Sequence, residues 1–104
     1  PDKNFIERFK AIVEQHIASP NLSVEDVASQ LGMGRTQLYR KVKSLTGLSP
    51  IEVVRTIRLK KAAELLTRTD KSVSEVAYEV GFSSISYLSK CFKDYFGVNP
   101  KDYK

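Results

Sequence analysis

Apolar residues along the chain recur every three to four positions. Phe5, Phe9, Ile12 and Val13 stand at i, i+4, i+7 and i+8, and Ile17 follows one turn later. That spacing predicts an amphipathic helix over 3–18, ended before Ser19-Pro20-Asn21. Leu38, Val42 and Leu45 form a second inward stripe, and Leu88, Phe92 and Tyr95 a third. No stretch of four or more residues alternates convincingly with period two, so strands are not expected.

Polar residues mark where the helices begin. Ser72-Val73-Ser74-Glu75 and Ser49-Pro50-Ile51-Glu52 read as capping boxes, in which the serine hydroxyl accepts a backbone N–H and the glutamate reaches back. Pro50 occupies the first helical position, where its missing N–H costs nothing. Ser23-Val24-Glu25-Asp26 and Asn99-Pro100-Lys101-Asp102 are close variants. Gly32, Gly47, Gly81 and Gly97 each follow an apolar-periodic segment and read as helix stops. Helices are therefore expected near 3–18, 23–31, 35–46, 50–68, 73–80 and 84–96, with a short last turn from about 100. The fold class is all-α, with about seven helices and short loops.

The two halves repeat one another. Ser23, Val24, Val27, Ala28 and Gly32 recur 49 residues later as Ser72, Val73, Val76, Ala77 and Gly81. Past the turn the offset becomes 50, and Leu38, Lys43, Gly47 and Pro50 recur as Leu88, Lys93, Gly97 and Pro100. The change of offset falls inside the turn, where insertions are tolerated. The repeated unit is helix, tight turn, amphipathic helix, the layout of a helix-turn-helix whose second helix enters a DNA major groove. A helical hairpin repeated as a solenoid is the plain alternative. Two copies are few for a solenoid, and a solenoid has no need of the charge pattern that follows.

Composition adds a moderate bias. The 104 residues suit one compact domain or two very small ones. Lys and Arg number 17 against 12 Asp and Glu, a net charge of +5 that tilts the partner towards nucleic acid or an acidic membrane surface. The distribution says more than the total. Residues 33–47 hold Arg35, Arg40, Lys41 and Lys43 and no acid, whereas the preceding helix holds Glu25 and Asp26. Segment 84–96 is only weakly basic, with Lys90 and Lys93 against Asp94. At 100° per residue, Thr36, Arg40 and Lys43 lie opposite the Leu38 stripe, flanked by Tyr39 and Gln37. In the second copy Ser86, Lys90 and Lys93 lie opposite the Leu88 stripe, flanked by Ser89 and Tyr87. Arg40 is the candidate for a two-bonded contact with guanine, worth roughly 1–3 kcal/mol of base discrimination.

The 50–68 segment is apolar over most of its circumference, so it is expected to be buried on several sides as a strut gripped by a helix-turn-helix at each end. About 19 residues at 1.5 Å each give roughly 28 Å, near the ~34 Å between successive major-groove faces. Arg55 and Arg58 fall inside its apolar arc, where they read as structural, pairing with an acid or covering apolar surface. Cys91 is the only cysteine and His16 the only histidine, which excludes an intramolecular disulfide, a thiolate cluster and a His/Cys metal site. No nucleophile-base pair or phosphate loop is visible, so an enzyme is not expected, nor a cofactor or metal. A first residue of Pro1 reads as part of something longer.

The stretches RLKKAAELL (58–66) and SVSEVAYEVGFSSISYLSKCFKDYFGVNPKDY (72–103) strongly resemble the AraC/XylS family of transcription regulators. The spacing of Ala77, Gly81, Phe82, Leu88, Phe92, Phe96, Gly97 and Pro100 follows that family's signature, and LSVEDVASQLGMGRTQLYRKVKSLTGLSP (22–50) matches in the first half. The resemblance implies two homeodomain-like helix-turn-helix subdomains, about 23–47 and 72–97, joined by a linker helix at about 50–68 within one DNA-binding domain, 1–104. It implies a monomeric unit reading adjacent major grooves of double-stranded DNA and often bending it. Base contacts would come from Arg35, Thr36, Tyr39 and Arg40, then from Ile85, Ser86, Tyr87, Ser89 and Lys90. Lys43 joins them on the geometry of the helix face. The second face is small and serine-rich, so the first is expected to supply more sequence discrimination and the second to grip backbone. The phrase GMGRTQLYRKVKSLTGLSPIEVVRTIRLKKAA (32–63) is similar to output domains of hybrid two-component regulators, in which sensor kinase and regulator share one membrane-anchored chain. The resemblance thus points to an activator domain working in the cytoplasm, touching RNA polymerase as well as DNA, with dimerisation left to the full-length protein. A protein-interaction module is the competing class. Membrane-surface binding is disfavoured, because the basic residues oppose buried stripes and do not flank an exposed apolar face.

Overall fold

Two separate hydrophobic clusters organise the chain. The computed structural model describes residues 2–103. Six α-helices and one 3-10 turn carry them: α1 (Asp2–Gln15), α2 (Val24–Gln30), α3 (Arg35–Thr46), α4 (Pro50–Arg68), α5 (Val73–Glu79), α6 (Ile85–Phe96) and the 3-10 turn Pro100–Asp102. Among the described residues there is no strand. The all-α expectation holds, and most helix ends agree with it to within a residue or two.

The chain divides into two compact units. The first comprises 1–16 and 21–57, the second 17–20 and 58–104. In the first, Phe5, Phe9 and Val13 of α1 bury against Val27 and Ala28 of α2, Leu31, and Leu38 and Val42 of α3. In the second, Leu59, Ala62, Ala63 and Leu66 of α4 bury with Val76, Ala77, Val80, Phe82, Leu88, Cys91 and Phe92. Helix α4 serves both. Val53, Val54 and Ile57 pack on the first cluster, and its residues from Leu59 onward on the second. Each half needs its own apolar arc, so the helix reads as apolar over most of its circumference. Ile51, in its first turn, is nevertheless exposed.

The repeat is structural to the level of single hydrogen bonds. Ser23 caps α2 through its hydroxyl to the Asp26 N–H, and Asp26 accepts from the Ser23 N–H. Ser72 and Glu75 do the same for α5, and Ser49 and Glu52 for α4. At the other end of α2, Met33 N–H donates to the Ala28 carbonyl and Gly32 N–H to Ser29. At the end of α5, Phe82 N–H donates to Ala77 and Gly81 N–H to Tyr78. Both are Schellman closures around a left-handed glycine, φ 72° at Gly32 and 88° at Gly81. The surroundings differ. A Cβ on Gly32 would meet nothing within 4 Å, but one on Gly81 would overlap the Ile17 carbonyl oxygen and press on the Arg58 guanidinium.

Four expectations need correction. Helix α1 ends at Gln15 and not near 18, because Ile17–Pro20 leaves it to join the second unit, where Ile17 packs on that core. Leu45 and Tyr95 continue the inward stripes in sequence but are 36% and 48% exposed. They lie in or next to the last turn of helices whose partners, α2 and α5, are only seven residues long. So short a helix leaves them only partly covered. Tyr95 instead stacks edge-on against Phe96, centroids 4.8 Å apart. Asn99 does not cap the final turn with its side chain; its backbone carbonyl accepts from Asp102. Arg58 pairs with no acid and spends its fork on backbone carbonyls.

The two turns should respond differently to a methyl group. Gly32→Ala should cost about 1–2 kcal/mol, the left-handed strain alone. Gly81→Ala should cost about 3 kcal/mol or more, since backbone must also move. Urea unfolding of the two variants checks this, and equal losses would contradict it. Acid should act through the caps. The Ser49 and Ser72 bonds hold the Glu52 and Glu75 carboxyls below their ordinary value of 4.5. A depressed carboxyl stabilises the fold above its unfolded value and loses that contribution as pH falls through the folded one. Wild type should therefore lose stability between about pH 5 and pH 3 faster than an E52Q/E75Q double variant, which keeps an acceptor but does not titrate. Denaturation midpoints across that range decide it.

Candidate nucleic-acid interface

In each unit the second helix of the repeat has one face in the core and one in solvent. Leu38 and Val42 anchor α3, and Leu88, Cys91 and Phe92 anchor α6. What the sequence assigned to the outer faces is there. Arg35, Thr36, Tyr39, Arg40 and Lys43 are all exposed on α3. Ile85, Ser86, Tyr87 and Lys90 are exposed on α6, and Ser89 is half-buried. The five of α3 lie within one arc of the helix, whereas the five of α6 spread over a wider one.

The two faces are built differently at their N-terminal ends. Helix α3 starts after Gly34, which offers no side-chain cap, so the first-turn N–H groups keep no side-chain partner from that residue. Helix α6 starts after Ser84, whose hydroxyl accepts from the Tyr87 N–H at 3.1 Å. Sequence reading passed over this cap because the position three residues on is Tyr87 and not an acid. Tyr87 also packs edge-on against the buried Phe82 ring, centroids 5.4 Å apart, which fixes the first turn of α6 to the core. Ser89 is half-buried for a related reason: it lines an open hollow of about 390 Å³ with Val73, Ile85, Asn99, Pro100 and Lys101. It stands at the edge of its face.

The electrostatics favour α3. Arg35 meets Glu25 at 3.1 Å, with both side chains largely exposed, a pair worth about 0–1 kcal/mol that an incoming anion displaces cheaply. Lys41 is turned aside, its ammonium 4.8 Å from the centre of the Phe5 ring. Lys43 favours the ionised form of Glu52. Arg40 and Lys90 form no ion pair among the described residues. On α4, by contrast, Lys61 and Arg68 both address Glu64. The free guanidinium of Arg40, one turn beyond Thr36 and one before Lys43, is the strongest anion- and guanine-seeking group on either face.

Among the described residues no three His, Cys, Asp or Glu side chains are grouped to hold a metal ion, and no helix is long and apolar enough to cross a membrane. Cys91 is packed in the second core and His16 is half-buried at the end of α1.

Comparison with known proteins agrees with this geometry. A family model described as a helix-turn-helix domain matches residues 27–104. Histidine kinase P4 of Formosa agariphila is 37% identical over 103 residues, which is 99% of this chain and 8% of that protein. The chain spans 8% to 36% of the length of the curated relatives it matches. A transcriptional regulator of Chromobacterium violaceum, described among AraC-type DNA-binding domain-containing proteins, superposes with a TM-score of 0.87 at 30% identity, covering 93% of this chain and 86% of that one. The DNA-binding domain of AdpA, a global transcriptional factor solved in complex with a target DNA, superposes with a TM-score of 0.84 at 34% identity, covering 91% and 85%.

Proposed function

The chain belongs to the AraC-type helix-turn-helix family and is a DNA-binding domain of transcription regulation, and we propose that it reads double-stranded DNA with the outer faces of α3 and α6. The observation that carries this reading is the face of α3. Arg35, Thr36, Tyr39, Arg40 and Lys43 stand exposed together on a helix with no acid, directly after the tight turn. Thr36 and Tyr39 can contact phosphate or base, Arg40 can fork onto guanine O6 and N7, and Arg35 and Lys43 supply counter-charge to the backbone.

The α6 face plays a different part. Ser86, Ser89 and Lys90 suit phosphate and single-bond contacts, Tyr87 adds a phenolic hydroxyl, and Ile85 offers apolar surface to a thymine methyl. The first unit then supplies most of the sequence discrimination and the second mainly grips backbone. Helix α4, continuous over 19 residues, suits one chain to two successive major grooves. The domain is regulatory and not catalytic, works where the DNA is, in the cytoplasm, and is a monomer in isolation. Its likeness to a small part of histidine kinase P4 supports the reading as the output domain of a longer, sensor-linked and membrane-anchored regulator that activates transcription through RNA polymerase and dimerises, if at all, through its other parts.

Selection of bound duplexes from a random pool tests the reading. Enrichment of a two-part motif is expected, with its parts about one helical turn apart. Binding should weaken by about two orders of magnitude or more from about 50 to about 200 mM salt, as counterions are released from neutralised phosphates. A pool with no enriched sequence would sink the proposal, and salt-insensitive capture would point to a protein partner. Repeating the selection with Arg40→Ala should relax a guanine position at a cost of about 1–3 kcal/mol, whereas Lys90→Ala should weaken all sequences alike. Equal loss of specificity in both variants would contradict the division of labour.

A further inference from the structure

Arg58 is an arginine without an acid. Its Nη2 donates to the Ser19 carbonyl at 2.7 Å and its Nη1 to the Gly81 carbonyl at 3.2 Å, across 39 and 23 residues of sequence. Its Nε is buried with no partner. Burial pushes its proton affinity down, and no carboxylate offsets this. Only backbone dipoles hold the charge, in a fork that one guanidinium can form and an ammonium cannot.

The place it holds is the turn of the second helix-turn-helix. Gly81 opens that turn, the Ser84 cap stands three residues on, and Tyr87, close enough to Arg58 to interact electrostatically, lies in the first turn of α6. The Ile17 carbonyl presses on the same glycine from the loop that Arg58 anchors. The first unit offers an internal control. At the offset of 49 that relates Gly81 to Gly32, the position of Arg58 falls on Phe9, which is buried in the first core and carries no charge. A Cβ on Gly32 would meet nothing within 4 Å, so no side chain closes on that turn as Arg58 does on Gly81. Both helices are anchored in their cores, but only the turn before α6 is clamped as well by a distant guanidinium.

We propose that Arg58 is a positioning residue for the second reading face, setting the pose of α6 and with it recognition of the second half-site, while touching no base itself. This rests on the two-part reading of DNA given above. It is tested on the whole domain with two variants. Arg58→Met removes both bonds and the charge; Arg58→Lys keeps the charge but bridges only one carbonyl. Each protein is titrated with the selected duplex, with that duplex scrambled in the first half-site, and with it scrambled in the second. The ratio of affinities cancels the uniform loss that follows from one cation fewer.

Scrambling the second half-site should cost wild type about tenfold, less than scrambling the first, since the second face reads few bases and mainly grips backbone. In Arg58→Met that penalty should fall below about threefold, with the first half-site penalty unchanged and helical circular dichroism retained. Arg58→Lys should recover the salt dependence but not the second penalty. A wild-type penalty in Arg58→Met would overturn the proposal, as would both penalties falling together. If Arg58→Met does not fold, Arg58→Lys is judged by the same ratios, and loss of folding in both would make Arg58 a structural residue. A wild-type motif with no second part is a different failure: it removes the two-part reading itself before any variant is measured.

Discussion

Everything in this fold depends on closing the ends of helices too short to stand alone. Helices α2 and α5 have seven residues each. A helix leaves four N–H and four C=O groups unpaired at its ends, so in a helix this short nearly every residue carries an orphan. Neither helix has the length to be stable in water by propensity. The reciprocal cap at one end and the Schellman closure at the other satisfy most of those groups locally. That frees Val27 and Ala28, or Val76 and Ala77, to be spent entirely on the core. The left-handed glycine that ends each short helix also sets where the next helix begins.

Helix α4 solves the companion problem of two cores too small to be ordinary. It adds the partly buried Val53, Val54 and Ile57 to a first core already built by α1, α2 and α3, and it is the third helix of the second core through Leu59, Ala62, Ala63 and Leu66. The second core is finished by aromatic rings. Tyr103, after the 3-10 turn, stacks on Phe92 and Phe96 at 5.1 and 5.2 Å and closes the end of α6. The faces proposed to read DNA are thus the outer sides of helices whose inner sides are fixed by burial. Specific contact with a duplex requires that rigidity, because a loose helix would give up in ordering what it gained in hydrogen bonds.

Most of the fold was legible because its signals are local. Capping boxes, stop glycines and stripes at i, i+4 and i+7 act within one or two turns, and the internal repeat reported them twice. The outer faces were legible by subtraction: with Leu38 and Val42 inside, Thr36 and Arg40 must be outside. What escaped was set by distant parts of the chain. Leu45 and Tyr95 escaped although α2 and α5 were read as short, because a stripe of apolar residues does not say how far along it a partner helix reaches. Ser84 caps α6 without the acid that marks a capping box. Arg58 read as structural, pairing with an acid or covering apolar surface, because nothing around it shows two carbonyls arriving from residues 19 and 81. The early end of α1 has the same origin, since periodicity continues through Ile17 while the backbone there is claimed by another unit.

That claim has a consequence for where the working unit begins. Residues 27–104 carry the family likeness, and a fragment cut to those bounds would hold both turns and both reading helices. It would lack Phe5, Phe9 and Val13 from one core and, less visibly, Ile17 and Ser19, whose carbonyls cover Gly81 and receive Arg58. The smallest self-sufficient piece is therefore larger than the recognisable one. The short segment 17–20, which in sequence looks like a link between the first two helices of one half, is a structural part of the other.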